Sequence, residues 1–395
     1  MRILFTFAGG TGHFLPMAPI AQAAERAGHT VAVAHRDDEL VTATVRAEGL
    51  DSFTVDAARV LYPGITPILE LDRAGAESNA RDSFATSIAV ERVPGLLELI
   101  RTWKPDLVVR DEMDYGSAIA TEVAGLPQAV VLVIAAGGMV RADLLAEPLD
   151  ALRAQYGLPP DPQLHRLGRD LVLAPLPLPF RDPANPLPPG AQPLRSTAAP
   201  APAGTDLGDL PLRVPGRPTV YFTLGTEFNT QSGDLFPRAL AALGQLPAHL
   251  VVTVGRQLDP ARFGPQPAHV HLRRYVPQSL LLPHCDVVVS HGGSGSVAAA
   301  LEYGVPLVLL PLGADQLHNA ERCTALGIGV ALDAVRATPE QIRAAVEQVL
   351  TDPAYRRAAE RLRAENASRP DATEGVRLME ELVARRRPAE PEPAV

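Results

Sequence analysis

Two doubly wound α/β domains in tandem are what this 395-residue sequence predicts. Three observations carry that reading. In both halves short apolar β runs alternate with stretches of helical period, the pattern of a parallel sheet with helices on both faces. A proline-rich stretch from Pro175 to Pro218, PLPLPFRDPANPLPPGAQPLRSTAAPAPAGTDLGDLPLRVPGRP, divides the halves. Proline on this scale sustains neither helices nor central strands, so it reads as an extended surface segment ending in a linker. Finally, each half opens with a strand run that ends in a glycine turn, AGGTGH after Ile3–Phe7 and TLGT after Thr219.

The elements follow in order. Ile3–Phe7 is a β run. Leu15–Ala27 has helical spacing and stops at Gly28, a helix-end signal. Thr30–Ala34 is a second strand. The stretch from Ala57 to Arg81 has no clear period and reads as a mobile loop. PDLVVRDEMDYGSAIATEVAGLPQAVVLV then gives strand, loop, helix and strand. Beyond the proline stretch, TVYFTLG, HLVVTVG, HVHLRRYV, CDVVVSHGG and VPLVLLPL are strand runs. LFPRALAALGQL, GSVAAALEYG and DQLHNAERCTALG are helical, as are segments within Thr338–Leu350, Ala354–Ala364 and Ala372–Arg386. The tail RPAEPEPAV is expected to be disordered.

Composition excludes several classes. A net charge of −9 repels nucleic acid, although a local helix terminus still suffices to bind a small anion. Cys285 and Cys323, the only two cysteines, make no disulfide framework and no metal pair, so a reducing cytoplasm is expected. The opening run is too short for a signal peptide, and AVVLVIAAGGMV is too short to span a bilayer. No membrane partner is expected.

Three constellations could carry chemistry. In the first turn, Gly10 and Gly12 fit part of a dinucleotide fingerprint, with Asp37 near the place of a ribose-binding acid. Leu15 and then Pro16 stand where the third glycine belongs, which disfavours a nicotinamide or flavin cofactor. His13 would lie near the positive end of the following helix, favouring the neutral imidazole that a general base needs. A simple capping role is the alternative. Asp111, just past a strand end in the same half, could hold that imidazole's tautomer. Glu112 and Asp114 compete for the role. The third constellation is SHGGSGSVAAALEYGVPLVLLPLGADQLHNAERC. Its strand delivers His291 to a glycine turn and a helix starting near Ser294, an anion site to which Ser294 and Ser296 add hydroxyls. Asp315 and Gln316 open a later helix at the same sheet edge, an acid and amide suited to sugar hydroxyls. No G-K-[ST] follows the turn and no acid cluster for Mg²⁺ is evident, so neither metal nor cofactor is expected.

Together these residues resemble the family-1 glycosyltransferases of the GT-B fold, above all the bacterial enzymes that decorate natural products such as antibiotics. The resemblance spans nearly the whole chain, from GHFLP through YVPQSLL, HGGSGS and GVPLVLLP to DQLHNAERC. It implies two Rossmann-like doubly wound parallel-sheet domains facing a cleft. Residues 1–205 would form an acceptor domain, 206–218 a linker and 219–371 the nucleotide-sugar donor domain. Residues 372–387 would be a helix crossing back to the first domain and 388–395 the tail. His13 matches the family's general base and Asp111 its carboxylate partner. Thr223, Gly225, Thr226, His291, Gly293, Ser294, Gly295 and Ser296 match the surroundings of the donor diphosphate. Tyr275, Val276 and Gln278 match the nucleobase segment, and Asp315 and Gln316 the donor-sugar contacts. Gly10, Gly12 and Phe14 fall in the acceptor-side loop, and the stretches after Ala57 and around Met139 should line the acceptor pocket. Plant members carry tryptophan at the place of Tyr275 and a ribose-gripping glutamate at the place of Ala299, with Glu302 out of register. Losing that glutamate favours a dTDP-sugar over UDP-glucose. The implied reaction is inverting and metal-independent, with a small hydrophobic aglycone attacking the sugar through a hydroxyl or an aromatic carbon. A sugar-nucleotide epimerase and a non-catalytic nucleotide-binding partner protein are the rivals. The oligomeric state is open, a homodimer included.

Overall fold

The computed structural model describes residues 1–57, 65–68, 73–198, 201 and 204–386. Among them are two sheets, parallel throughout. In the N-terminal lobe the strands are β1 (Arg2–Thr6), β2 (Thr30–Arg36), β3 (Ser52–Asp56), β4 (Leu107–Asp111), β5 (Gln128–Val131), β6 (Leu171–Pro175) and β7 (Gln192–Leu194). Their order is β3-β2-β1-β4-β5-β6-β7. In the C-terminal lobe they are β8 (Thr219–Thr223), β9 (His249–Thr253), β10 (Val270–Arg273), β11 (Val287–Ser290), β12 (Leu307–Leu309) and β13 (Gly329–Ala331), in the order β10-β9-β8-β11-β12-β13. Strand order reverses between β1 and β4 and between β8 and β11. Such a switch opens a crevice at the carboxyl ends of the strands.

Side-chain alternation builds the layers. In β8, Val220 and Phe222 join one apolar cluster while Tyr221 joins the cluster on the opposite face. Helices therefore cover both faces, as expected of strands that are apolar throughout.

Three expectations change. The helix expected over Leu15–Ala27 begins only at Ala18 and ends at Arg26, and a separate single turn, Thr11–Phe14, precedes it. Pro16 lies at the break, where it has no N–H to continue the ladder. The stretch from Ala57 to Arg81 lies partly outside the described residues, but it is not all loop. Arg73–Ser78 is α-helical and runs into a wide-turn π segment, Asn79–Ile88, and then the helix Ala89–Trp103. Wider turns erase the 3.6-residue period by which a helix is read. The proline-rich stretch also contains β7, with Pro193 in it, at the sheet edge where a missing N–H is tolerated. The tail expected to be disordered lies outside the described residues.

The helix Ala372–Arg386 returns to the N-terminal lobe, where Val376, Met379, Leu382 and Val383 enter its core. Glu380 reaches His29 at 2.9 Å and Arg386 reaches Asp170 at 2.5 Å. The chain thus crosses between the lobes twice, and the crossings touch. Asn366 exchanges two 2.9 Å hydrogen bonds with the backbone of Ser196, and Arg195 N–H donates to Pro370 O at 2.7 Å. Among the described residues no helix is long and apolar enough to cross a membrane.

Met379 is fully buried in the N-terminal core, so Met379→Ala should cost that lobe about 2–5 kcal/mol. Trp103, the only tryptophan, lies in the same lobe. Its fluorescence should report earlier unfolding in urea, and an unmoved midpoint would detach the helix from this core.

Candidate active site

β1 and β4 are neighbours, so the residues that follow them meet at one edge. Asp111 ends β4 with no exposure. Its Oδ2 accepts the Ala8 N–H at 2.9 Å and its Oδ1 accepts the Met113 N–H. His13 Nδ1 stands 3.3 Å from Asp111 Oδ2. That is longer than a good charge-assisted hydrogen bond, so the negative charge of Asp111, more than the bond itself, acts on the ring. The competing acids are engaged elsewhere. Glu112 accepts the N–H groups of Val133 and Ile134, both at 2.7 Å. Asp114 caps the helix Tyr115–Val123 and grips Arg92 through two bonds of 3.1 and 3.0 Å.

The expectation of a helix end disfavouring imidazolium does not hold. His13 is the third residue of a four-residue helix, too short to exert that field. Burial pulls its pKa down, but the charge of Asp111, with Asp315 and Glu227 adding to it, lifts the imidazole above its ordinary value. Phe14, in the same loop, is buried against Phe7, ring centroids 5.4 Å apart. Met139 likewise belongs to the core. The ring that does lie on His13 is Phe84, stacked at 5.5 Å from the wide-turn segment. Gly9, at φ +119°, is needed where it stands, since a methyl there would meet the His13 ring at 2.8 Å. Gly10 has the Glu227 carboxylate against it, and Gly12 faces open space.

The other lobe repeats the construction. β8 and β11 are neighbours, and their exits carry Thr223–Thr226 and His291. The His291 ring fills the gap between Gly225 and Gly293, where methyl groups would approach it to 2.6 and 2.7 Å. Burial pushes its pKa down to about 4, with Asp315 opposing, so the imidazole is neutral near pH 7. Its Nδ1 is buried without a partner among the described residues. The helix Ser294–Glu302 begins beside it after Gly293, its Ser294 N–H donating to Asp315 Oδ2 at 3.3 Å, and Gly295 is exposed at its first turn. Ser294 departs from expectation. Its hydroxyl donates to Asp315 and accepts the Ala135 N–H of the other lobe at 2.7 Å, so it is not a free donor. Asp315 also accepts from Asn319 Nδ2 at 2.8 Å. Gln316 Oε1 accepts the N–H groups of Leu312 and Gly313 at 2.7 and 3.1 Å.

Tyr275 is 49% exposed, with the Arg256 guanidinium 4.1 Å above its ring centre. Val276 is buried in the core, so only its backbone can meet a ligand, while Gln278 opens a short helix. Ala299 is buried, and Glu302 turns away to accept the Ala198 N–H. The lobes are in contact. Thr11 and Thr226 hydroxyls are 3.0 Å apart, Asn319 Oδ1 accepts the Ala136 N–H at 3.1 Å, and Arg73 meets Glu321 at 2.7 Å. Phe84, Glu227, Arg256 and Asn319 escaped the sequence reading. Asn319 alone left a signal, the i,i+4 spacing from Asp315 on a helix.

Residues 237–382 match the family described as erythromycin biosynthesis protein CIII-like, C-terminal domain. Over 385 residues the chain is 32% identical to L-demethylnoviosyl transferase of Streptomyces niveus, spanning 94% of this chain and 95% of that protein. The chain is a family-1 glycosyltransferase of the GT-B, antibiotic-biosynthesis type. This glycosyltransferase is also 30% identical to 4'-demethylrebeccamycin synthase of Lentzea aerocolonigenes, over 97% of this chain and 99% of that one. Its fold matches the solved glycosyltransferase SnogD of Streptomyces nogalater with a TM-score of 0.77, at 27% identity over 97% of this chain and 100% of that one. The glycosyltransferase VinC, solved in complex with dTDP, matches with a TM-score of 0.76 at 26% identity, over 98% and 100%.

Because the His13 pKa is raised, the pair with Asp111 stabilises the fold fully at low pH and ceases to do so as pH rises through the folded value. An NMR titration of His13 should show a midpoint above 6.5, and Asp111→Asn should move it down. Equal midpoints would remove Asp111 as the governing charge.

Proposed function

We propose that this glycosyltransferase moves a sugar from a dTDP-sugar to a small natural-product aglycone, with inversion and without a metal. The observation that carries the reading is the meeting of two strand-order switch points. One presents a histidine backed by a buried carboxylate, and the other a glycine-led helix start, its first N–H held by Asp315, with a buried neutral histidine. In the proposed step His13 takes the proton of an acceptor hydroxyl as its oxygen attacks the anomeric carbon. The nucleoside diphosphate leaves on the opposite face. Charge building on the diphosphate is met by the N–H groups at Gly295 and Ser296, by the helix field and by a His291 N–H. His13 acts in its neutral form, so turnover rises with pH through its raised pKa.

The preference for dTDP is supported by the donor lobe. The Ala299 methyl offers no acceptor to a ribose 2′-hydroxyl, and Glu302 is engaged with Ala198. A relative named TDP-daunosamine transferase DnrS, of Streptomyces peucetius, is 27% identical over 98% of both chains, and VinC was solved with dTDP. Tyr275 beneath Arg256 supplies an aromatic face for the base.

A panel of nucleoside-diphosphate sugars and aglycones, read by mass spectrometry, should show the parent enzyme adding one sugar mass. His13→Ala should lose about 10²–10⁴-fold in kcat, the usual share of a positioned base, with dTDP affinity kept. Unaltered turnover would take His13 out of the reaction. Calorimetry should show dTDP binding more tightly than UDP, and the reverse order would overturn the donor assignment.

A further inference from the structure

His318 is 3% exposed, and neither of its ring nitrogens has a hydrogen-bond partner among the described residues. Buried polar groups rarely go unsatisfied, because each forfeits the bond it would make in water. The reaction above does not use this side chain, yet its position is close to the site. It lies on the helix Gln316–Ala325, three residues after Asp315. That helix faces the N-terminal lobe, with Asn319 on Ala136, Glu321 on Arg73 and Arg322 on the Phe180 carbonyl. The His318 ring itself lies against Gly138, in the turn that follows β5. A methyl on Gly138 would come within 2.9 Å of His318 Cδ2 and 3.1 Å of Nε2, and Gly138 holds φ +91°. The unsatisfied imidazole thus sits where the helix start carrying Asp315 and Gln316 meets the acceptor lobe.

Burial holds this imidazole below its ordinary pKa, and Arg73 pushes the same way against Glu321, Asp315 and Glu77. A neutral imidazole offers one donor and one acceptor. A phosphate or carboxylate would use only the donor, and an ammonium only the acceptor. A hydroxyl can use either. We propose that His318 is a specificity-determining residue that reads a hydroxyl of the donor sugar, between the Asp315–Gln316 helix start and the Gly137–Gly138 turn. This assignment rests on the sugar-transfer reading.

The test measures binding by calorimetry to the parent enzyme, His318→Ala and His318→Gln. The probes are dTDP, dTDP-glucose and the 3-, 4- and 6-deoxy analogues of dTDP-glucose. No acceptor is present, so an acceptor hydroxyl cannot produce the effect. The parent should bind dTDP-glucose about tenfold more tightly than one of the deoxy analogues, the upper range for one neutral hydrogen bond. That preference should vanish in His318→Ala and survive in part in His318→Gln, which fills the site and keeps a donor and an acceptor. All three proteins should bind dTDP alike. The same preference in parent and variants overturns the assignment, and so does a parent indifferent to every deoxy position. A loss of dTDP affinity as large as the loss for dTDP-glucose also overturns it, as the mark of a merely structural role. If the folded parent binds no dTDP-sugar at all, the donor reading falls and this assignment falls with it.

Discussion

The N-terminal half of the site depends on a buried carboxylate. Asp111 has no exposure, and an isolated charge in that position would be costly. The cost is offset by amides, because Ala8 N–H and Met113 N–H both donate to it. Those amides belong to the turns leaving β1 and β4, so satisfying the carboxylate fixes the exits of two neighbouring strands. The charge that remains faces His13 and governs its protonation. One group therefore shapes the turn, positions the imidazole and sets its basicity. The two latter effects cannot be tuned independently.

The C-terminal lobe solves a similar problem without charge. His291 is buried between Gly225 and Gly293, which leave its ring room by lacking side chains. Its neutrality follows from burial, which outweighs the opposing charge of Asp315. The two histidines are thus held by opposite means, one by a counter-charge and one by desolvation. The helix Gln316–Ala325 ties the arrangements together. Its first turn orders Ser294 through Asp315 and Asn319, and its outer face meets the acceptor lobe.

Much of this was legible in the sequence. The positions of His13, Asp111, His291 and Asp315 follow from strand ends and glycine turns, which are local signals. The failures have physical causes. The burial of Phe14 within the acceptor-side loop is not legible, because a helix of a single turn gives no reliable face. Phe84 was invisible because a wide-turn segment erases the helical period. The engagement of Ser294 leaves no sequence signal, because its hydroxyl meets Asp315 across two strand exits and the Ala135 N–H from the other lobe. Arg256 gave no sign of covering Tyr275, since stacking across a sheet edge has no spacing rule. The proline-rich stretch hid β7, an edge strand that tolerates the residue.

The two lobe crossings, hydrogen-bonded side by side through Asn366 with Ser196 and Arg195 with Pro370, have a mechanical consequence. Two adjacent tethers behave as the pins of a single narrow door. Swinging about the line between them keeps those bonds, whereas twisting or sliding one lobe past the other would tear them. Opening to admit an aglycone should then follow nearly one degree of freedom, and each closing stroke should return the same pair of strand edges to register.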